Sequence, residues 1–184
     1  MSHKNVLAVD FGASSGRVML GNFDGNRLSI QEIHRFPNDP VILNGTMYWD
    51  FLRLFYEVKQ GLMKAKRYGK IDSIGVDTWG VDFGLIDKEG NLLENPVHYR
   101  DARTAGMLEK SFGKMDKDRF YQITGSQFME INTVFQLLAL LEKRPGLLEG
   151  TSRLLLMPDL FNYYLCGAQV SEYSIASTTQ MLDA

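Results

Sequence analysis

The segment from Asp10 to Arg17 reads Asp-Phe-Gly-Ala-Ser-Ser-Gly-Arg and places a carboxylate, a run of small residues and a cation within one loop length. Gly12, Ala13, Ser14, Ser15 and Gly16 are small enough for backbone N–H groups to approach an anion closely, and two hydroxyls add further donors. Arg17 adds a fixed positive charge suited to phosphate. Asp10 can hold a magnesium ion through water, because Mg²⁺ keeps several waters and uses few carboxylates. The same residues also suit a tight hairpin in which Gly and Ser serve only the turn, and residue types alone leave both readings open. A second group follows at Asp77-Thr78-Trp79-Gly80, with Asp82 two residues further on. An aromatic face beside carboxylates, with a glycine whose backbone can touch a ligand, suits a polyol that combines C–H faces with hydroxyl rims. The competing reading makes Trp79 a core residue and Gly80 a bulge.

Both groups contain Val-Asp-Phe-Gly, at positions 9–12 and 81–84. Asp-Phe-Gly is also the magnesium-binding tripeptide of protein kinases. That motif requires a glycine-rich loop, a strand lysine and a His-Arg-Asp segment upstream, and only nine residues precede Asp10. Duplication fails as well: the second copy continues into Leu85-Ile86-Asp87, with no hydroxyl loop. Other candidate acids read as structural. Asp101 lies between Arg100 and Arg103, as in an ion-pair cluster, and Asp159 after Pro158 is placed to cap a helix. His98 reads as a packed or surface histidine, and the three histidines show no metal-ligand spacing. Cys166, the only cysteine, has no His or second Cys nearby and reads as a packed residue.

The elements that must position these groups follow from periodicity. Asn5 to Asp10 is a buried strand, Arg17 to Phe23 returns, and after an Asp-Gly turn Arg27 to Phe36 forms a third strand with Leu28, Ile30 and Ile33 as its apolar residues. Asp50 caps a helix whose stripe is Leu54, Phe55, Val58, Leu62 and Met63, and Gly69 ends it. A second buried strand ends on Asp77, and another spans 81–87 with a Lys-Glu-Gly-Asn turn. Asn132 to Lys143 is a second amphipathic helix, and Arg153 onward is a strand broken at Pro158, followed by a short helix to Gly167. A three-strand antiparallel meander followed by helix–strand alternation predicts an α/β fold with a mixed sheet flanked by helices. A dinucleotide fold is excluded, because the glycine-rich turn joins two strands and no G-x-G-x-x-G is present.

Composition narrows the partners. The chain has 184 residues, 45% hydrophobic and 23% charged, with a net charge of −2 and hence no basic footprint for nucleic acid or an acidic membrane surface. A lone thiol fits a reducing compartment, and no segment approaches the roughly 18 apolar residues that span a bilayer, so the expected location is cytoplasmic.

Taken together, VDFGASSGRVMLG, EIHRF, IDSIGVDTWGVDFGLID, YRDART, TGSQFMEINTVFQL, LLMPDLFNYYLCG and EYSIASTTQ resemble the FGGY carbohydrate kinase family, and within it the branch acting on L-rhamnulose. The resemblance runs from about Asn5 to Leu182 and implies an actin-like (ribonuclease H-like) domain. It implies transfer of the ATP γ-phosphoryl group to the primary hydroxyl of L-rhamnulose, with Mg²⁺ as cofactor and ATP as co-substrate. Carried onto this sequence, Ala13, Ser14, Ser15, Gly16 and Arg17 match the ATP-phosphate loop and Asp10 the metal-proximal carboxylate. Gly80 matches a sugar-contacting glycine, with Trp79 and Asp82 beside it. The family is well over twice this length. Residues 1–184 are therefore expected to be an incomplete N-terminal, sugar-binding domain, with the catalytic base beyond Ala184 and the C-terminal nucleotide-binding domain absent. Such a fragment is expected to be inactive alone and to expose an apolar surface that favours self-association. The alternative is a non-catalytic, kinase-like module that binds sugar or self-associates.

Overall fold

A computed structural model describes residues 3–183, which divide into two compact units. The first comprises residues up to 39 together with 50–79; the second comprises 40–49 and everything from Gly80 onward.

In the first unit the meander forms as its alternation dictates. β1 (Lys4–Phe11), β2 (Ser15–Phe23) and β3 (Leu28–Pro37) pair antiparallel in sequence. β6 (Ser73–Asp77) then joins β1 in parallel, giving a four-stranded mixed sheet of order β3-β2-β1-β6. α1 (Phe51–Ala65) covers one face, burying Leu54 and Val58 with Leu7, Val9, Phe11, Val18, Leu20 and Phe36. Asp50 caps it by accepting from Arg53 N–H, as the sequence predicts, and Gly69 follows the terminal 3₁₀ turn at φ 87°. The predicted stripe is displaced, however. Met63 is 60% exposed, and Gly61 takes the inward position because a Cβ there would lie 2.4 Å from Val18 Cγ2. Helix and sheet meet too closely for a side chain at that point. Glu57 is also buried, held by His34 and Arg53 at 2.7 Å each.

The other face of this sheet carries Val6, Ala8, Met19, Leu28 and Ile30, with Ile30 64% exposed. Side chains alternate between faces along a strand, so the burial of Leu7, Val9 and Phe11 sends Val6, Ala8 and Asp10 the other way. Leu28 and Ile30, apolar residues of the third strand, thus lie on the exposed side of the sheet.

In the second unit, hairpin strands β4 (Val41–Leu43) and β5 (Thr46–Tyr48) precede an antiparallel pair of β7 (Phe83–Ile86) and β8 (Arg153–Leu156). Helices α2 (Met107–Phe112), α3 (Lys117–Thr124) and α4 (Thr133–Lys143) pack through Met107, Phe120, Phe135 and Ala139, while Leu140 of α4 joins Phe83, Leu85 and Leu156. α5 (Pro145–Glu149) leads into β8. α6 (Met157–Cys166) begins two residues earlier than Asp159, so Asp159 lies in its first turn and is not the cap. Its buried carboxylate instead accepts from Glu172 N–H, fixing the chain before α7 (Tyr173–Ala176). Cys166, at the end of α6, is exposed, contrary to its reading as a packed residue. Among the described residues no helix is long and apolar enough to cross a membrane.

Candidate functional site

In the first unit, strand parity brings Asp10 to the uncovered sheet face at the carboxyl end of β1. Its antiparallel partner is Arg17, and its parallel partner is Asp77 at the end of β6. Arg17 Nε donates to Asp10 Oδ2 at 2.9 Å, and both side chains remain about two fifths exposed. An ion pair this open to water is weakly held, so a phosphate and a cation can each compete for one partner. Asp77 adds a second exposed carboxylate one strand away, about 4.8 Å along the sheet. One or two carboxylates, water and substrate phosphates suit Mg²⁺, so the donor set fits that ion. Among the described residues no cluster of three or more His, Cys, Asp or Glu forms a protein-only metal cage.

The loop between β1 and β2 is a tight hairpin with Ala13 and Ser14 at its tip, closed by Gly12 N–H donating to Ser15 carbonyl at 2.9 Å. Ala13 and Ser14 N–H and the Ser14 and Ser15 hydroxyls donate to no acceptor among the described residues. Gly16 has a packing reason of its own, since a Cβ there would lie 2.3 Å from the Phe36 ring. A residue that sequence reasoning passes over, Asn38, holds the hairpin from beneath. Its side-chain amide donates to Gly12 carbonyl at 2.8 Å and its N–H to Ser14 carbonyl at 3.1 Å. Asn38 is buried, and only the return of β3 beside the hairpin brings it there. Trp79, at the end of this unit, is half-buried and meets Phe11 edge-on at 6.4 Å.

Gly80, Val81 and Asp82 begin the long segment of the second unit with an unusual turn. Asp82 N–H donates to Gly80 carbonyl at 2.9 Å, and the intervening Val81 has φ 67°. An i→i+2 hydrogen bond around a residue of positive φ is the rare, strained form of the γ-turn. Gly80 is therefore part of a turn, not a bulge. Asp82 is fully buried. Its Oδ2 accepts from Trp49 Nε1 at 2.6 Å and Tyr99 N–H at 3.1 Å, and its Oδ1 accepts from Gln136 Nε2 at 2.9 Å. Burial pushes the Asp82 carboxyl up to about 6, against the pull of the Trp49 and Gln136 hydrogen bonds. The carboxylate engages protein donors and acts as the anchor of the turn.

Around it, His98 stacks on Trp49 with ring centroids 3.9 Å apart and accepts from Arg100 N–H at Nδ1. Burial, reinforced by Arg100, holds His98 down at about 4, so of the two alternatives the sequence left, packed or surface, it is the neutral, packed one. Asp101 is structural by another route than an ion-pair cluster: it accepts from Met47 and Arg103 N–H, tying the β4–β5 hairpin to a 3₁₀ turn. Thr133, Gln136 and Thr178 each bind the backbone of Val81. None was singled out from sequence, since helix periodicity gives two of them no chemical signal.

The comparisons with known proteins bear on the family and the fold. The FGGY family of carbohydrate kinases, N-terminal domain, matches residues 5–184. A rhamnulokinase of Bacteroides thetaiotaomicron is 44% identical over 182 residues, covering 98% of this chain and 38% of that protein. A rhamnulokinase of Oceanobacillus iheyensis is 44% identical over 179 residues, covering 97% and 38%. Among solved structures, a ligand-bound xylulose kinase from Lactobacillus acidophilus aligns with a TM-score of 0.84 at 16% identity, over 98% of this chain and 37% of that one, and so shares the fold. The chain thus spans about two fifths of the length of these relatives, with an actin-like mixed sheet at its start. It belongs to the FGGY family of carbohydrate kinases, whose N-terminal domain it matches.

Proposed function

We propose that residues 1–184 are the sugar-binding, N-terminal part of an ATP-dependent kinase that phosphorylates the primary hydroxyl of L-rhamnulose. The observation that carries the substrate is the 44% identity to two rhamnulokinases along nearly the whole chain. Phosphoryl transfer depends on positioning and charge neutralisation, and each unit supplies groups of that kind. The amides of Ala13 and Ser14, the hydroxyls of Ser14 and Ser15, and Arg17 cradle ATP phosphates. Asp10, with Asp77 beside it, would hold Mg²⁺, which would supply charge neutralisation at the phosphates. Arg17 leaves Asp10 for phosphate when both ligands are present. Gly80 contacts the sugar, with Trp79 next to it in sequence, while Asp82 acts from beneath as an anchor. No residue of this chain takes the role of general base. In this reading the base and the remainder of the nucleotide site belong to sequence not contained in it, and the 184 residues alone do not turn over.

Calorimetric titration of L-rhamnulose, D-xylulose and glycerol into the full-length gene product, with a non-hydrolysable ATP analogue present, tests the substrate. The tightest binding is expected for L-rhamnulose. Equal or absent heats for all three remove the assignment.

A further inference from the structure

The most strained point of the second unit coincides with its proposed sugar contact. Val81 has φ 67°, a conformation that branching at Cβ makes especially unfavourable. Such conformations persist only where surrounding structure over-determines them, and here every peptide group of the turn is tied down. Val81 N–H donates to Thr178 Oγ1 at 3.1 Å, and Val81 carbonyl accepts from Thr133 Oγ1 at 2.7 Å and Gln136 Nε2 at 3.3 Å. Asp82 N–H closes the turn on Gly80, and Asp82 carbonyl accepts from Met157 N–H at 3.1 Å.

Thr178 is the distinctive member of this set. Its hydroxyl donates to Ile175 carbonyl at 2.7 Å, leaving the oxygen lone pairs to accept from Val81. The two bonds fix the hydroxyl orientation. The same side chain fills the space beside Gly80: a Cβ on Gly80 would lie 3.0–3.1 Å from three Thr178 atoms. One residue therefore both binds the strained peptide and limits the volume at the glycine. It comes from the EYSIASTTQ segment, which neither the phosphate loop nor the turn itself explains.

We infer that Thr178 is a positioning residue for the ketose: through its bond to Val81 N–H it holds the strained Gly80–Asp82 turn in the orientation that receives the sugar. This rests on the proposed function, in which Gly80 contacts the ketose. The residues proposed for ATP phosphate belong to the other unit, so the two substrates' KM values report on different groups.

The test is steady-state kinetics of the full-length gene product carrying Thr178→Val, which keeps the shape and removes both hydrogen bonds. The ketose KM is expected to rise at least tenfold while the ATP KM stays within twofold, and Thr178→Ser is expected to restore the ketose KM to within threefold of wild type. A structural defect alone lowers active-enzyme concentration and leaves that split unmade. Should Thr178→Val fail to fold, Thr178→Ala is the second probe: it removes both hydrogen bonds without adding a branched apolar group, and is expected to raise the ketose KM at least threefold. An unchanged ketose KM in the folded variant, or equal changes in both KM values, overturns the inference alone. Absence of ketose-dependent turnover in the wild-type protein overturns the proposed function, and the inference with it.

Discussion

Asp82 and His98 are buried ionisable groups whose proton affinities shift in opposite directions, and Trp49 connects them by donating to one and stacking on the other. The folded Asp82 carboxyl, at about 6, keeps a proton that the unfolded chain has lost, so its contribution to stability falls as pH rises from about 4 to about 6. The folded His98 imidazole, at about 4, resists the proton that the unfolded chain accepts near 6.5, so its contribution rises from about pH 4 to 6.5. Across pH 4 to 6 the two trends oppose each other. Thermal midpoints measured over that range are expected to separate them. Relative to wild type, His98→Phe, which keeps the stack, gives a profile that falls with pH, and Asp82→Asn gives one that rises. Profiles parallel to wild type in both variants would refute the assignment. At pH 7, where Asp82 is ionised, Asp82→Asn is also expected to cost about 1–3 kcal/mol, because an amide cannot accept from all the donors that the carboxylate serves.

The elements show how much of this arrangement a sequence can carry. The meander, the Asp50 cap and the helix from residue 133 to 143 were legible because each repeats a local period or ends on a recognised signal. The faces were less legible. Leu28 and Ile30 alternate as inward residues would, yet lie on the uncovered side, since which face a helix covers is a tertiary choice. The strained turn was not legible at all. Val-Asp-Phe-Gly reads as strand because Val and Phe favour strands, and the φ of Val81 is imposed by Thr133, Gln136 and Thr178, which lie 52 to 97 positions away. The loop proposed for phosphate stands between these cases. Its small residues and Arg17 announce it, whereas the Asn38 tie depends on strand pairing. Helix–sheet contact yields a direct check, since Gly61 faces Val18 with no room for a methyl group. Gly61→Ala is expected to destabilise the fold by about 1–3 kcal/mol despite the better helix propensity of alanine. Urea unfolding measures it, and a stabilised variant would show that α1 and β2 are less closely packed than described.

At the scale of the molecule, the first unit holds the groups suited to phosphate and metal, and the second holds the clamped turn proposed for sugar. Both belong to a chain that matches the N-terminal domain of a carbohydrate kinase family and spans about two fifths of the length of its relatives. The proposed function needs the positioning residues of both units together with a general base from outside residues 1–184. ³¹P NMR of the full-length gene product with ATP, Mg²⁺ and L-rhamnulose, run beside the 184-residue chain under the same conditions, tests this most directly. The predicted result is a sugar 1-phosphate resonance growing with ADP in the full-length sample and none in the shorter one. No sugar phosphate in the full-length sample, or equal turnover by the 184 residues alone, would contradict it.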